Sequence, residues 1–178
     1  MGTLDNNIEK ILISEKELKR AVTRLGKQIS ADYQGKNLMM VSVLKGSVVF
    51  MADLMRAITI PCSIDFMAVS SYAGRVSTGA VRIIKDLDYP LDNCDLLIVE
   101  DILDSGRTLH YIIDILSLRG PRSIKICTLL DKPERRVVQI ESNYLGFKIP
   151  DAFVVGYGLD YNEKYRNLPY IGILKIED

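Results

Sequence analysis

The sequence has no tryptophan, only one histidine and no excess charge of either sign. Lysine plus arginine and aspartate plus glutamate number 23 each, so the formal net charge is zero. This balance gives no support for binding to nucleic acid or to an anionic membrane, and any anion-binding site must be local. No apolar run approaches the roughly 20 residues of a membrane span, and the N-terminus lacks a basic segment followed by an apolar run. We therefore expect neither a membrane span nor a signal peptide.

Cysteine is scarce as well. The chain contains only Cys62, Cys94 and Cys127, and no two of them form a C-x-x-C pair. An odd number of cysteines that border or lie within apolar runs is typical of reduced, partly buried thiols, so we expect a cytoplasmic protein. A nucleophilic cysteine normally needs a histidine partner. The single histidine, His110, falls in an amphipathic helical stretch, which favours a structural or surface role.

Apolar periodicity divides most of the 178 residues into alternating strands and helices. Strands are predicted at residues 38–44, 62–69, 81–85, 95–99, 123–130, 152–157 and 170–176. Helices are predicted at residues 14–30, 48–57 and 105–118, and Ser14 with Glu17 forms a capping-box pattern at the first of them. Several strands are apolar on both faces. The pattern predicts one α/β domain over residues 1–178, with a mostly parallel central sheet flanked by helices.

Residues 70–79 interrupt this pattern with a run of small and polar side chains, Ser-Ser-Tyr-Ala-Gly-Arg-Val-Ser-Thr-Gly. The run offers few groups that would anchor it to a core. A long loop inside a compact domain is more often functional than accidental. We therefore predict a mobile loop that takes part in function.

Three carboxylates follow one of the predicted strands. Residues 97–108 read Leu-Ile-Val-Glu-Asp-Ile-Leu-Asp-Ser-Gly-Arg-Thr, so an apolar strand runs into Glu100 and Asp101 and then, after two aliphatic residues, Asp104. In open α/β sheets, ligands bind beyond the carboxyl ends of the strands. Glu100 and Asp101 would repel a phosphate, so they are better suited to sugar hydroxyls or to Mg²⁺, which prefers oxygen ligands. Asp104 stands where a carboxylate can act on a bound base.

The turn after Asp104 suits a phosphate. Ser105, Gly106, Arg107 and Thr108 open the next predicted helix, whose free N–H groups and dipole favour an anion. Gly106 lets the backbone approach closely, and the two hydroxyls add donors. The alternative is that these residues only end a strand and cap a helix, but so long a motif in a strand–turn–helix context favours function. No G-x-x-x-x-G-K-[ST] or G-x-G-x-x-G pattern occurs, so neither a P-loop nor a dinucleotide site is predicted.

Residues 99–108 resemble the phosphoribosyl-pyrophosphate signature of the phosphoribosyltransferases. Further motifs between about Val41 and Arg166 make the chain similar to the hypoxanthine-guanine phosphoribosyltransferases of the short bacterial form. The resemblance implies the type I phosphoribosyltransferase fold, with a small hood and a mobile active-site loop. It also implies a homodimer or homotetramer.

Three short motifs take their expected roles from this resemblance. Leu44-Lys45-Gly46 resembles the family's pyrophosphate loop, in which an unusual backbone turns amides and the lysine towards the leaving group. Ser71-Tyr72 resembles the pair that closes over the active site, and Lys132 matches the lysine that contacts the purine O6. Each would otherwise be an ordinary turn or surface position.

A fourth motif covers residues 153–163, Phe-Val-Val-Gly-Tyr-Gly-Leu-Asp-Tyr-Asn-Glu. In the family, the aromatic ring at Phe153 stacks on the purine and the backbone of Val154 contacts the purine edge. Asp160 lies near a Mg²⁺ ion, and Arg166 reaches the pyrophosphate. Without the resemblance, Phe153 would be assigned to core packing and Asp160 to a turn.

The resemblance implies a Mg²⁺-dependent enzyme of purine salvage, which transfers the phosphoribosyl group of phosphoribosyl pyrophosphate to hypoxanthine or guanine and releases the nucleotide and pyrophosphate. Asp104 is the expected catalytic acid or base at purine N7, and Glu100, Asp101 and Asp160 are the expected metal residues. The expected substrate-binding residues are Lys45, Gly46, Ser71, Tyr72, Glu100, Asp101, Ser105, Gly106, Arg107, Thr108, Lys132, Phe153, Val154, Asp160 and Arg166.

Two alternatives stay open at this point. One is a phosphoribosyltransferase for another base, such as xanthine, adenine or a pyrimidine; Lys132 and Phe153-Val154 favour 6-oxopurines, but contacts at purine C2 are not readable. The other is a regulatory protein that binds phosphoribosyl pyrophosphate or a nucleotide without turnover. Such a regulator usually needs a nucleic-acid-binding surface, which the zero net charge does not support. Retention of Asp104 and Lys45 also favours an enzyme.

Overall fold

Two β-sheets and three α-helices make up the part of the chain that the structure, a computed structural model, describes: residues 7–71 and 81–175. The side chains of residues 71 and 81 are outside this description. The strands are β1 (Ile8–Ile13), β2 (Leu38–Leu44), β3 (Cys62–Ser71), β4 (Val81–Lys85), β5 (Asp95–Leu103), β6 (Ser123–Asp131), β7 (Tyr144–Lys148), β8 (Val154–Val155) and β9 (Ile171–Leu174). The helices are α1 (Glu15–Asp32), α2 (Val48–Ala57) and α3 (Arg107–Ser117), and a short 3₁₀ helix spans Pro133–Arg135.

The larger sheet has six strands in the order β4-β3-β2-β5-β6-β7. Every neighbouring pair in it is parallel except β3 with β4, which is antiparallel. The predicted α/β fold with a central, mostly parallel sheet is therefore confirmed. Because β2, β5 and β6 run in the same direction, their carboxyl ends lie along one edge of the sheet, and Leu103 pairs there with Asp131.

Helices cover both faces of this sheet. Leu97 and Val99 of β5 pack with α1 and α2 on one face, while Leu96 and Ile98 pack with α3 on the other. Successive side chains of a strand point to opposite faces, so a strand that is covered twice is apolar throughout. This explains the continuous apolar run of β5 and the burial of almost every residue of β2.

The smaller sheet is antiparallel and has the order β1-β9-β8. It corresponds to the small hood that the resemblance implies. The strands predicted at residues 152–157 and 170–176 are present in shorter form as β8 and β9, and both pair within this second sheet and not in the central one. β8 has only two residues, since Gly156 follows with a φ of 99° and turns the chain away. β1 and β7 were not among the strands predicted from the sequence.

Local signals fixed several boundaries well. Ser14 caps α1, and its predicted capping box with Glu17 is present, with the Ser14 N–H donating to Glu17 Oε2 at 2.8 Å. β2, α2 and β4 have the predicted bounds. In contrast, β5 continues four residues beyond the predicted end, so Glu100 and Asp101 belong to the strand. α3 begins at Arg107 and not at Ser105, because Gly106 takes a left-handed conformation with φ 83°.

The three cysteines are unpaired, and Cys94 and Cys127 are buried. His110 is on the surface, with Nε2 3.6 Å from Oδ2 of Asp114 one helical turn later, as expected for a surface histidine. Of the helices in residues 7–71 and 81–175, none is both long and apolar enough to cross a membrane.

Candidate active site

The end of β5 buries two adjacent carboxylates. Asp101 is only 9% exposed, and its Oδ1 accepts a hydrogen bond from the N–H of Ile102 at 2.7 Å. The Oε2 atom of Glu100 is buried and finds no hydrogen-bond partner among residues 7–71 and 81–175. Burial, and secondly the charge of Asp101, raises the pKa of Glu100 well above its usual value. Burial raises the pKa of Asp101 to about 6, although backbone donors and the charge of Arg166 act in the opposite direction. The pair thus lacks a positive partner that fully compensates it.

The turn between β2 and α2 lies directly against Asp101. The peptide bond between Leu44 and Lys45 is cis. A Cβ atom at Gly46 would stand 1.8 Å from Oδ2 of Asp101, so only glycine fits in this turn. Behind it, the buried hydroxyls of Ser42 and Ser47 are 2.7 Å apart and tie the end of β2 to the start of α2.

The segment after β8 closes over the same turn. Gly158 has a φ of 102°, and a Cβ atom there would stand 2.0 Å from the carbonyl oxygen of Gly46. Arg166 donates from Nη1 to the carbonyl oxygen of Gly158 at 2.8 Å, and its Nη2 lies 2.9 Å from Oδ1 of Asp160. The structure therefore brings five predicted site residues together at one end of the site: Lys45, Gly46, Asp101, Asp160 and Arg166.

A second group forms at the other end, around Lys132. The N–H of Lys132 donates to the carbonyl oxygen of Leu103 at 3.0 Å, which fixes Lys132 beside the residue that precedes Asp104. The Lys132 side chain is only 6% exposed, and Nζ lies 3.9 Å from Oδ1 of Asp151. A lysine without a specific role is usually exposed to solvent, so the burial of Lys132 is unusual.

Arg135 links this group to Asp104. Its Nε is 3.4 Å from Oδ1 of Asp104, and its Nη1 is 3.7 Å from Oδ1 of Asp151. Asp104 Oδ1 is itself buried and accepts no hydrogen bond from the described residues. Neither Arg135 nor Asp151 was predicted from the sequence. The only signal for them was their place, four residues after the end of β6 and two residues before Phe153.

The turn from Ser105 to Thr108 lines a small cavity of about 130 Å³. Glu100 lines the same cavity, so this carboxylate stands next to the turn that was predicted to bind phosphate. The carbonyl oxygen of Ser105 accepts hydrogen bonds from the N–H groups of Val137 and Val138 at 3.0 and 3.1 Å. Those two bonds tie the turn to the segment that follows the 3₁₀ helix. Arg107 is exposed and is not among the lining residues.

The remaining predicted site residues divide into two sets. Phe153 is 42% exposed although it is a large apolar side chain, and Tyr161 contacts it edge-on with ring centroids 5.5 Å apart. Val154 is buried next to it in β8. Ser71 ends β3, but its side chain and the whole of Tyr72 lie outside the described residues, as does the centre of the predicted mobile loop.

A larger cavity, of about 720 Å³, lies between α1, α2 and residues 166–169. Among the predicted site residues whose side chains the structure describes, only Arg166 lines it. The chemistry that the sequence predicts is therefore concentrated at the carboxyl edge of the parallel sheet and not in this larger cavity.

Comparison with known proteins gives a consistent result. Residues 10–162 match the family model of the phosphoribosyl transferase domain. A hypoxanthine-guanine phosphoribosyltransferase of Streptococcus pyogenes is 54% identical over 98% of this chain and 97% of that protein. The bifunctional protein TilS/HprT of Listeria innocua is also 54% identical over 98% of this chain, which spans only 27% of that relative's length.

Solved structures agree with the sequence relatives. A crystal structure of a hypoxanthine phosphoribosyltransferase from Staphylococcus aureus superposes with a TM-score of 0.94 at 53% identity, covering 98% of this chain and 95% of that one. A hypoxanthine-guanine phosphoribosyltransferase from Bacillus anthracis gives a TM-score of 0.87 at 47% identity, over 93% of this chain and 97% of that one. The resemblance read from the motifs is confirmed, and the chain belongs to the phosphoribosyltransferase family.

Proposed function

We propose that this protein is a hypoxanthine-guanine phosphoribosyltransferase of purine salvage. It transfers the 5-phosphoribosyl group of phosphoribosyl pyrophosphate to hypoxanthine or guanine and releases the nucleotide and pyrophosphate. The observation that carries the proposal is the placement of the Glu100–Asp101 pair, in which Asp101 and the Oε2 atom of Glu100 are buried. The pair lies near a turn with two cations, Lys45 and Arg166, and on the same sheet edge as the buried Lys132. The named relatives support the same reaction.

The reaction is a displacement at C1 of the ribose, in which a purine nitrogen enters as pyrophosphate leaves. Negative charge grows on the leaving group, so cations that already face it stabilise the transition state. Lys45 and the Gly46 amide approach from one side and Arg166 from the other. Arg166 is suited to this contact because its Nε atom is buried and without a hydrogen-bond partner in the described segments, which leaves a donor for a phosphate oxygen.

The acidic residues fit Mg²⁺. Glu100 has a buried, unpartnered oxygen, and burial makes both members of the pair unfavourable as free anions. A hard divalent cation would relieve that cost, and oxygen is its preferred ligand. No group of three or more metal-binding side chains forms within residues 7–71 and 81–175. We therefore propose that Glu100 and Asp101, with Asp160 nearby, would hold a Mg²⁺ ion, and that this ion would supply positive charge to neutralise the leaving pyrophosphate.

Asp104 is the proposed acid or base at purine N7. One of its oxygens is buried without a hydrogen bond, so an N–H of the base can become its partner. Arg135 Nε lies 3.4 Å from this oxygen and places positive charge beside the carboxyl group. General acid–base catalysis of this kind contributes about 10²–10⁴ in rate.

Lys132 is the proposed origin of base selectivity. A lysine ammonium donates hydrogen bonds and cannot accept them, so it suits the O6 carbonyl of hypoxanthine or guanine and mismatches the amino group of adenine. Its burial sharpens this choice, because a buried donor without an acceptor is unfavourable. Phe153, exposed and supported edge-on by Tyr161, offers a ring face for stacking on the purine.

The turn of Ser105, Gly106 and Thr108 is the proposed site of the 5′-phosphate. The first N–H groups of α3 and the hydroxyls serve as donors, and the exposed Arg107 contributes positive charge at a distance. Glu100 lines the adjoining cavity, where ribose hydroxyls would connect the phosphate to C1. Closure of Ser71 and Tyr72 over this site to exclude water stays a prediction.

We further propose that the chain is one domain, that it assembles as a homodimer or homotetramer, and that it acts in the cytoplasm without a nucleic-acid or membrane partner. Oligomeric state is measured by light scattering of the purified chain. A monomer at working concentrations would contradict the assembly proposal without affecting the proposed reaction.

The experiment that tests the function is pyrophosphate release in the presence of Mg²⁺ and phosphoribosyl pyrophosphate, with hypoxanthine, guanine, xanthine and adenine offered separately. We expect turnover with hypoxanthine or guanine, none with adenine, and loss of turnover when a chelator removes Mg²⁺. A folded protein that binds nucleotide but releases no pyrophosphate with any of the four bases would overturn the proposal in favour of a regulatory role.

A further inference from the structure

Glu163 forms ion pairs with Lys45 and Arg166, the two cationic side chains that are proposed to bind pyrophosphate. Its Oε2 lies 3.1 Å from Nζ of Lys45, and its Oε1 accepts from Nη2 of Arg166 at 3.4 Å. Lys45 and Glu163 are 118 positions apart in the sequence, so the contact depends on the fold and not on local spacing. One carboxylate thus bridges two cations that approach the site from different elements.

The backbone at Glu163 is one in which a side chain is unusual. Asn162 and Glu163 have φ angles of 50° and 61°, and they form the centre of a two-residue turn in which Tyr161 and Lys164 exchange both backbone hydrogen bonds at 3.1 Å. Positive φ at both central positions is the pattern of a type I′ turn, in which glycine is the usual second residue. A glutamate there retains a left-handed conformation that L-residues disfavour. The N–H of Glu163 donates to Asp160 Oδ2 at 2.9 Å, which helps to hold the turn.

The Glu163 carboxylate lies between Lys45 and Arg166 as a bound anion would. Lys45 is 67% exposed and Glu163 65% exposed, so the carboxylate can leave without breaking a buried contact. Exposed ion pairs are individually weak, and a ligand with several negative charges competes with them successfully. When Glu163 is near pyrophosphate, however, its charge repels the ligand.

We propose that Glu163 is an internal competitor of pyrophosphate: it holds Lys45 and Arg166 in the ligand-free site, gives them up when the pyrophosphate group arrives, and speeds release of pyrophosphate by recapturing them. This inference rests on the proposed function, since it assumes that the two cations bind the leaving group. In this role Glu163 sets the affinity of the site for pyrophosphate and does not contact the reacting atoms.

The test compares the wild-type protein with Glu163→Gln, which keeps the side-chain length and removes the charge. Inorganic pyrophosphate is titrated by calorimetry in the presence of Mg²⁺, and its inhibition constant is measured in the same buffer. We expect Glu163→Gln to bind pyrophosphate about two- to tenfold more tightly, the range that two weak exposed ion pairs allow, with a slower dissociation rate. Glu163→Asp retains a carboxylate and should stay close to the wild type.

Glu141→Gln is the matched control, because Glu141 is also exposed and its substitution changes the net charge equally. Its pyrophosphate affinity should equal that of the wild type. A gain in affinity cannot come from structural damage, which would weaken binding. Unchanged or weaker pyrophosphate binding by a folded Glu163→Gln, in a background where the wild type turns over hypoxanthine, would overturn this inference and leave the proposed function intact. If the wild type shows neither turnover nor pyrophosphate binding, the proposed function fails and the inference fails with it.

Discussion

Gly46 stands against Asp101 so closely that a single added methyl group would collide with the carboxylate: its Cβ would lie 1.8 Å from Oδ2. Gly46 belongs to the turn after β2 and Asp101 to the last part of β5, so this contact places the turn directly against the carboxylate. The same turn is covered from the other side by Gly158, which would clash with the Gly46 carbonyl oxygen if it carried a Cβ. The backbone at Gly46 is therefore packed between the Asp101 carboxylate and the backbone at Gly158, with no room for a side chain at either glycine.

Replacement of Gly46 by alanine is expected to displace Asp101 and the Lys45 turn. A shift of about 1 Å in a catalytic geometry lowers activity by about 10²-fold, and crowding of a packed site destabilises a protein by about 1–3 kcal/mol. The measurements are kcat/KM for phosphoribosyl pyrophosphate and the free energy of unfolding. Gly35→Ala is the control, because Gly35 has a φ of 75° but open space around it, so that variant should lose some stability and keep its activity. Full activity in Gly46→Ala would contradict the proposed role of this contact.

Sequence patterns were sufficient where the structure depends on local chemistry. The capping box at Ser14, the bounds of β2 and α2 and the position of the acidic motif at the carboxyl edge all follow from short-range signals. Patterns failed for β1 and β7. β1 is half exposed and carries one glutamate, Glu9, and one lysine, Lys10, among its apolar residues. β7 follows a long irregular segment, and neither strand has a clear alternation of burial.

Contacts between distant segments were beyond the sequence. Arg135 reaches Asp104 across 31 positions, and Glu163 reaches Lys45 across 118. In a single sequence, a charged residue on a loop is indistinguishable from a solvated one, because its role depends on which segments the fold brings beside it. The burial of Lys132 has the same origin: the ordinary expectation for a lysine after a strand is exposure, and only the packing around Asp151 shows otherwise.

Asp104→Asn is expected to lower kcat by about 10²–10⁴-fold, since the amide cannot take up a proton from the base. Affinity for phosphoribosyl pyrophosphate should change little, because the proposed contact is with the base and not with the leaving group. The measurement is steady-state kinetics with hypoxanthine as the varied substrate. Asp92→Asn, on the exposed surface, is the charge-matched control and should behave as the wild type. If Asp104→Asn retained more than about a tenth of the wild-type kcat, the loss would be too small for general acid–base catalysis by this residue.

Lys132→Met is expected to change the preference for the base without lowering the stability of the fold. Methionine fills a similar volume without a charge, and replacing a buried charge by an apolar side chain is often neutral for stability or favourable. Turnover of hypoxanthine should fall by about 10²-fold or more, because one preorganised donor to the base is lost. The exposed Lys148→Met serves as control. Comparing hypoxanthine with adenine in both variants shows whether Lys132 sets the preference; an unchanged ratio would contradict it.

Tyr157→Phe is expected to loosen the segment that covers Gly46. The Tyr157 hydroxyl donates to Asp53 Oδ2 at 2.5 Å, and this bond links the turn between Gly156 and Gly158 to α2. A hydrogen bond to a charged group contributes about 1.5–3 kcal/mol, and the partial exposure of Asp53 places the expected loss at about 1–2 kcal/mol. The KM for phosphoribosyl pyrophosphate should rise while kcat changes less. Tyr89→Phe, at a position 64% exposed, is the control for loss of a hydroxyl. Wild-type stability and KM in Tyr157→Phe would show that the link is dispensable.

Alkaline pH is expected to destabilise the protein through its buried tyrosines. Burial raises the pKa of Tyr33, Tyr144 and Tyr157, and for Tyr144 and Tyr157 hydrogen bonds to Asp32 and Asp53 raise it further. In the unfolded chain, a tyrosine loses its proton near about pH 10. Above that pH the folded state binds more protons than the unfolded state, so the free energy of unfolding falls as pH rises. The stabilisation is fully present below about pH 10 and is lost progressively towards the raised pKa values of the folded state.

The test of this dependence is the melting temperature of the wild type and of the double variant Tyr144→Phe, Tyr157→Phe between neutral and strongly alkaline pH. Phenylalanine has no proton to lose, so the double variant should start from a lower melting temperature and fall less steeply above about pH 10. Tyr89→Phe removes an exposed hydroxyl and should keep the steep fall of the wild type. Because lysines deprotonate over the same range in every variant, only the difference in slope between variants reports on the two tyrosines. Parallel curves for the wild type and the double variant would mean that these hydroxyls ionise in the folded protein as readily as in the unfolded chain.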